Sequence, residues 1–404
     1  MKKEDWMRNS YYDTADFRRL LREYEQARGK GEQIFMDSDD LIRICEYYQA
    51  SGYEAKALEG ARYALQLFPG AIEPLAFLSR YFLLVKNDAE KAKKYADKIQ
   101  DKSDADYFYL HAEIMIVQQE PEKADRYLLD QIAIVEAEED DEDISIQDYY
   151  FDVATLFSDY SFFNLAKKWL DKCKETSQSD YEELYASIAV GLGDYDKANQ
   201  IYEEMLGKNP FSEDLWNKLA SSQFLQGNYK DAIQSSEFAI AINTDNEEAI
   251  LNKANGLYSL GNYAEAEKFF KKYTQLVPDS ETGELFLGIT LSHLNRPGAA
   301  LIHIKKAELL SDKDNPDIKE IYEQLAFTES KLGHLEEAIR YIDEAMSMPN
   351  CDKDELKVLK GHIYLENKMY KEGQQCYEEA IDHTTSPQVF FRSAVSFYEN
   401  GLFL

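Results

Sequence analysis

The sequence comprises 404 residues with a formal net charge of −31 and an apolar content of 44%. A chain of that length exceeds what one hydrophobic core normally serves, so several domains or a repeat array are expected. The charge argues against a nucleic-acid partner, which needs a basic footprint, and no apolar run approaches the roughly 20 residues that span a bilayer, the densest being Tyr81 to Val85.

The first predicted element is a helix over residues 10–28, within an N-terminal segment 1–37. Phe17, Leu20, Leu21, Tyr24 and Ala27 share one face, with Arg18, Arg19 and Arg22 largely opposite. Such a helix either caps the adjoining part of the fold or touches a membrane surface, and Glu23 and Glu25 weaken the second reading. The opening MKKEDWMRNS has no apolar stretch behind it, so it does not read as a secretory signal.

From residue 38 the chain repeats itself. GDYDKA at 193, GNYKDA at 227 and GNYAEA at 261 recur at an interval of 34. Ala198, Ala232, Ala266 and Ala300 keep that interval; Ala338 and Gly373 continue it, and Ala166, Ala124, Ala92 and Ala57 extend it backwards less evenly. The series makes ten copies, three over residues 38–135 and seven over 149–387. An interval of this size signals stacked repeats.

Each copy splits into two predicted helices. In 213–225 the apolar Leu215, Trp216, Leu219, Ala220 and Phe224 form one stripe. Gln226-Gly227-Asn228 breaks it, because Gly and Asn enter the left-handed region cheaply. A second helix, 231–242, points Ala232, Ile233, Phe238, Ala239 and Ile242 inward.

Two segments interrupt the period. Residues 136–148 carry eight acids and no base; they lack the central Gly of a calcium loop and read as a solvated linker at a domain boundary. Residues 311–317 form a shorter insertion. At the end, residues 388–404 match a first helix with Ala394 in the small column, yet carry Phe390, Phe391, Val395, Tyr398 and Phe403. So apolar an end suggests self-association or docking through this helix; a cap fully covered by the last repeat is the alternative.

Here the sequence resembles the tetratricopeptide repeat family, whose signature is Trp-x2-Leu-Gly-x2-Tyr in the first helix, then Ala, an aromatic, Ala and Pro in the second. The chain spells it as Trp216, Leu219 and Ala220, then Ala232 and Ala239; as Ala266, Phe270 and Pro278; as Leu287 and Gly288, then Ala300 and Ala307; and as Gly361 and Tyr364, then Tyr377 and Ala380. The resemblance covers about nine tenths of the chain. It implies an all-α fold, an α-solenoid wound as a right-handed superhelix of about ten helix-turn-helix repeats with capping helices at its ends. It also implies an interaction scaffold.

The physical reason for the small column is close packing: Ala186, Ala220, Ala254, Gly288, Ala326 and Gly361 let the second helix approach. Arg80 falls in the same column, so either the register over 73–105 differs or the packing there is irregular. Cys45 shares the column and Cys173 an inward column of a second helix, the place of small core fillers. Cys351 and Cys376 complete the set, with no CxxC pair, so a reduced, cytoplasmic protein is expected.

No catalytic constellation emerges. None of the six histidines lies in HExxH or at zinc spacing from a cysteine, and Gly29-Lys30-Gly31 lacks the rest of a phosphate loop. No cofactor, metal or enzymatic activity is expected. What remains is the concave side of the stack, lined by first helices. Its side chains are Asn217, Lys218 and Ser221; Leu251, Asn252 and Asn255; Leu285, Phe286 and Ile289; Gln324 and Phe327; Leu359 and His362. Amides there can satisfy a peptide backbone while the apolar groups bury its side chains; alternatively these residues only touch neighbouring first helices. One class of the family holds a chaperone's C-terminal carboxylate with two Lys and two Asn. Asn252 and Asn255 are present but Lys218 stands alone, so that ligand is not supported, and the acidic surface favours a partner of basic character. The expectation is a non-enzymatic adaptor with a peptide or protein in this groove. The alternative is a structural protein that self-assembles as a homo-oligomer through its C-terminal helix.

Overall fold

The computed structural model describes residues 12, 14–31, 35–138, 146–173, 179–311, 318–349, 351–382 and 384–399. Every regular element among them is helical. The local reasons are visible in the sequence. Gly227 and Gly261 sit at φ 86° and 76° in the turns inside their hairpins, a conformation open to glycine at no steric cost. Between hairpins, the Ser212, Asn246 and Ser280 side chains accept hydrogen bonds from the backbone N–H of Leu215, Ala249 and Gly283. These caps start the next first helix.

Two compact units divide the chain at Asp194 and Tyr195. Among the described residues, unit one opens with α1 (Ala15–Lys30) and contains four hairpins. These are α2 (Ser38–Ala50) with α3 (Glu54–Leu67), α4 (Ile72–Arg80) with α5 (Ala89–Ala96), α6 (Ala105–Val117) with α7 (Pro121–Glu138), and α8 (Ile146–Asp159) with α9 (Phe163–Leu170). It ends on α10 (Ser179–Gly191). Helix α1 begins at Ala15, where Thr14 accepts from the Phe17 N–H, rather than at residue 10. Phe17 and Tyr24 are buried with Leu41, Cys45 and Ala57, so α1 covers the first hairpin with its apolar face. The acidic segment lies inside this unit, not at its edge. Residues 136–138 continue α7 and 146–148 start α8, while 139–145 fall outside the described residues. A single core joins Phe108, Leu128 and Ile132 to Tyr149, Phe157 and Trp169 on the two sides of it.

Unit two starts with α11 (Tyr195–Lys208) and contains five hairpins among the described residues. These are α12 (Glu213–Leu225) with α13 (Tyr229–Ile242), α14 (Glu247–Ser259) with α15 (Tyr263–Leu276), α16 (Glu281–His293) with α17 (Pro297–Leu310), α18 (Ile318–Lys331) with α19 (Leu335–Ser347), and α20 (Lys353–Glu366) with α21 (Tyr370–Ile381). Helix α22 (Pro387–Glu399) comes last. The insertion at 312–317 falls outside the described residues, and α17 ends on Ser311.

The small column behaves as close packing requires. Ala220, Ala254, Gly288, Ala326 and Gly361 are all buried, as are Ala232, Ala266, Ala300, Ala338 and Gly373. A Cβ added to Gly288 would lie 2.4 Å from Ile304 Cγ1 and 3.2 Å from the Ala300 carbonyl oxygen. At Gly361 it would lie 2.8 Å from the Tyr377 ring. The first-helix backbone thus rests against the second helix with no room for a further atom.

Arg80 is corrected by one position. The column residue in this hairpin is Ser79, fully buried, whose hydroxyl donates to the Ala92 carbonyl at 3.0 Å. Elsewhere the column residue and its partner are twelve apart, as in Cys45–Ala57, Ala112–Ala124 and Ala220–Ala232; here the count is thirteen. The extra residue is taken up immediately downstream, where α4 runs into a five-residue π turn, Tyr81–Val85. A π turn is how a helix accommodates one inserted residue. Phe238 and Ile242 are a second correction. Both are substantially exposed, and Phe238 stacks on Trp216 with ring centroids 4.5 Å apart, at the hairpin's outer edge. Cys45 is buried, and burial pushes its thiol up to about 12. It stays protonated as a small filler. Cys173 lies beyond the end of α9, half-buried against the core containing Trp169.

Gly288→Ala is expected to cost about 1–3 kcal/mol, read from chemical denaturation. In an Ile304→Ala background most of that cost should vanish, giving a coupling above about 0.5 kcal/mol. Additive effects would show that the column does not work by contact with the second helix.

Candidate functional site: a groove on the first helices of unit two

The first helices of a hairpin stack meet a second helix on one side and their sequence neighbours on another. The third side is left open. In unit two this open side forms a groove of about 440 Å³ lined by α14, α16, α18, α20 and α22. Five of the expected residues come together in it: Ile289, Gln324, Phe327, Leu359 and His362. Phe327 and Leu359 are half-buried, and Lys331 Nζ sits 4.2 Å from the Phe327 ring centroid. Gln324 makes no side-chain hydrogen bond among the described residues, and its amide carries both donor and acceptor groups.

The rest of the expected row is used internally. Asn217 is 2% exposed, and its Nδ2 donates to Asn246 Oδ1 at 3.2 Å and Glu248 Oε2 at 3.3 Å. It joins α12 to α14 and cannot reach a ligand, which corrects its expected place. Asn252 Nδ2 donates to Ser221 Oγ at 3.0 Å, and Lys218 pairs with Asp214 at 2.5 Å. Leu251 packs half-buried on the unit-two core and Leu285 is buried in it. The Phe286 ring sits between Phe270 and Tyr258, with centroids 6.0 and 6.1 Å away. Asn255 is half-buried and does not line the groove. Asn217 and Asn252 find partners on or at the cap of the adjacent first helix, because neighbouring hairpins stack closely enough for hydrogen bonds to close.

Helix α22 joins the groove, which its apolar composition alone did not suggest. Phe391 and Val395 line it, with Arg392 and Ser396. The helix is held by His362 Nδ1, 2.6 Å from Ser396 Oγ, and by the Tyr377 hydroxyl, which donates to the same oxygen at 2.5 Å. Arg392 approaches Glu355 at 3.7 Å. Val389 and Ser393 are buried on this side, while Ala394 is exposed. Phe390, Phe391 and Tyr398 are 45, 70 and 71% exposed; Phe403 lies outside the described residues.

At the other end of the groove Tyr258 and His293 form a polar step that sequence reading missed. The Tyr258 hydroxyl and His293 Nε2 share a 3.0 Å hydrogen bond, and the imidazole stacks on Tyr263 at 4.5 Å. Burial, aided by the Lys331 charge, holds His293 below the ordinary imidazole range. The ring is therefore neutral at neutral pH and shares one hydrogen bond with the tyrosine through Nε2. The signal was present in the spacing, since His293 and Lys331 occupy the same position of successive first helices.

Tetratricopeptide-repeat family models match residues 186–247, 223–285, 319–350 and 354–382. The chain is a tetratricopeptide-repeat protein. The groove of this tetratricopeptide array lies largely on first helices inside the matched residues, with α22 beyond them. Among curated proteins the chain is similar to FlbA of Caulobacter vibrioides, with 24% identity over 231 residues, 49% of this chain and 39% of FlbA. The match thus spans well under two thirds of that relative. Among solved structures it is similar to MamA (TM-score 0.37, 19% identity, 40% of this chain and 92% of that one). It is also similar to the Cut9–Hcn1 assembly of APC/C (TM-score 0.42, 15% identity, 90% of this chain and 71% of that one). No helix among the described residues is long and apolar enough to cross a membrane.

The His293 pair predicts a pH dependence. The folded imidazole is depressed below an unfolded value of about 6.5, so the unfolded chain binds the proton first. Stability conferred by the neutral ring is present above that value and declines as pH falls through it. Thermal melting at about pH 7.5 and about pH 5 should show wild type losing more than His293→Gln, by about 1 kcal/mol. An unchanged difference would remove the neutral-ring assignment.

Proposed function

We propose that this tetratricopeptide-repeat chain is a non-enzymatic interaction scaffold that holds a peptide or protein segment in the groove of unit two. The observation that carries this reading is the use of side chains along the groove. Upstream, the open-side residues are absorbed by helix–helix contacts. From Ile289 onward, Phe327, Leu359, Phe391 and Val395 line open space with the unpaired Gln324 amide among them. Apolar anchors beside one free amide fit a segment that buries side chains and offers backbone groups. Hairpins and α1 and α22 account for most described residues, which supports a binding rather than catalytic role. The net charge of −31 favours partners of basic character, through steering at long range, and we place the protein in the cytoplasm.

Peptides selected from a display library by the full chain should carry an apolar anchor. Their affinity should fall by about tenfold or more in Phe327→Ala or Leu359→Ala, with circular dichroism unchanged. Equal affinity for wild type and both variants would move the site elsewhere.

The exposed Phe390, Phe391 and Tyr398 support a second reading, self-association through α22. Sedimentation of the full chain should then show a dimer or larger species, and replacing these three residues with Ser should return it to monomer. Monomeric behaviour of both forms would dismiss this alternative.

A further inference from the structure

A larger groove, of about 1000 Å³, lies wholly within unit one on the open side of α2, α4, α6 and α8. None of the residues that line the unit-two groove belongs to it. Its character comes from the one-residue shift in α4. With Ser79 in the small column, Arg80 takes the next position, the one held by Glu46 in α2 and Glu113 in α6, and by Phe327 and His362 in unit two. The position that carries Ile289, Phe327 and His362 in the unit-two groove is therefore acid, base, acid across α2, α4 and α6.

Two of these three charges are already committed. Arg80 Nε donates to Glu113 Oε2 at 3.2 Å, and the Tyr160 hydroxyl donates to Glu113 Oε1 at 2.7 Å. Asp106 approaches the same guanidinium at 3.8 Å. Glu46 is left over. It makes no hydrogen bond or ion pair among the described residues, although it lines the groove. Burial pushes its carboxyl up, against the pull of Arg80 and Arg43. In the same groove the π turn presents Leu84 and Val85, 43 and 44% exposed, and Phe77 also lines it. Carboxylates outnumber guanidiniums seven to two among the lining side chains, which decides the sign of any occupant. A half-buried carboxylate that no cation contacts directly gains most from a cation delivered in an apolar setting, where the pair is weakly screened.

We propose that the groove of unit one docks an amphipathic protein segment that presents a Lys or Arg to Glu46 and aliphatic side chains to Leu84, Val85 and Phe77. The site is distinct from the unit-two groove and does not depend on the reading given for it.

A fluorescently labelled amphipathic helical peptide of Leu and Lys serves as the probe, with a Leu and Glu counterpart as control. Both are titrated against the full chain by anisotropy. The Lys peptide should bind and the Glu peptide should not. Glu46→Gln should weaken binding about tenfold, and Leu84→Asp more, with melting temperatures checked for each variant. Phe327→Ala should leave this affinity unchanged. Wild-type affinity in both unit-one variants would overturn the proposal, as would equal binding of the Glu peptide. Weakening by Phe327→Ala alone would assign the peptide to the other groove and overturn this one, whereas failure of the display-selected peptides to respond to Phe327→Ala touches only the unit-two reading.

Discussion

The architecture depends on how closely the two helices of a hairpin can approach. At Gly288 and Gly361 an added methyl group would already overlap the opposing side chain, and at Ser79 even the hydroxyl must be absorbed by a carbonyl of the second helix. Helices packed this tightly shield one side of the first helix completely. Large side chains therefore have only the other sides to occupy, and the groove on the open side is the consequence. Function in such a fold is set by residues the packing does not need.

The two grooves show how differently the same columns can be used. In unit two the groove is apolar from Ile289 onward, whereas upstream Asn217 and the Ser221–Asn252 pair tie adjacent first helices together through their side chains. In unit one the equivalent column alternates in charge. Arg80 and Glu113 neutralise each other beside the Tyr160 hydroxyl, and Glu46 makes no hydrogen bond or ion pair among the described residues. Apolar contact gives affinity that is tolerant of sequence, while a desolvated carboxylate discriminates by sign.

Much of this fold is legible in the sequence because close packing writes itself into spacing. The Ala and Gly columns, the turn glycines and the Ser and Asn caps each recur at fixed offsets, and they locate the hairpins without any coordinates. Ala394 continues the small column by spacing, and its exposure reflects the lack of a further helix against it among the described residues. The open side is less legible. Nothing in the residue type of Asn217 distinguishes an amide that bridges helices from one that faces solvent, since either place offers its NH2 group an acceptor. Phe238 looks internal because aromatic residues usually are, yet it stacks on Trp216 at the margin. The participation of α22 in the groove is hidden because its apolar residues serve two surfaces at once. The Arg80 anomaly is the most instructive, since one long charged chain in a column of small ones marks the site of the inserted residue without revealing its form.

That insertion has a bearing on how such arrays can diversify. A residue added to a hairpin would ordinarily rotate every later side chain by about a quarter of a turn and dismantle the interlocking downstream. The π turn at Tyr81–Val85 confines the change to a single loop of helix, so that Ala92 still finds its counterpart. Upstream of that turn, at Ser79 and Arg80, the identities in the small column and in the groove slide by one place relative to Ala92. A length mutation can thus swap a binding residue without any substitution, which gives this scaffold a route to new specificity that leaves its interior untouched.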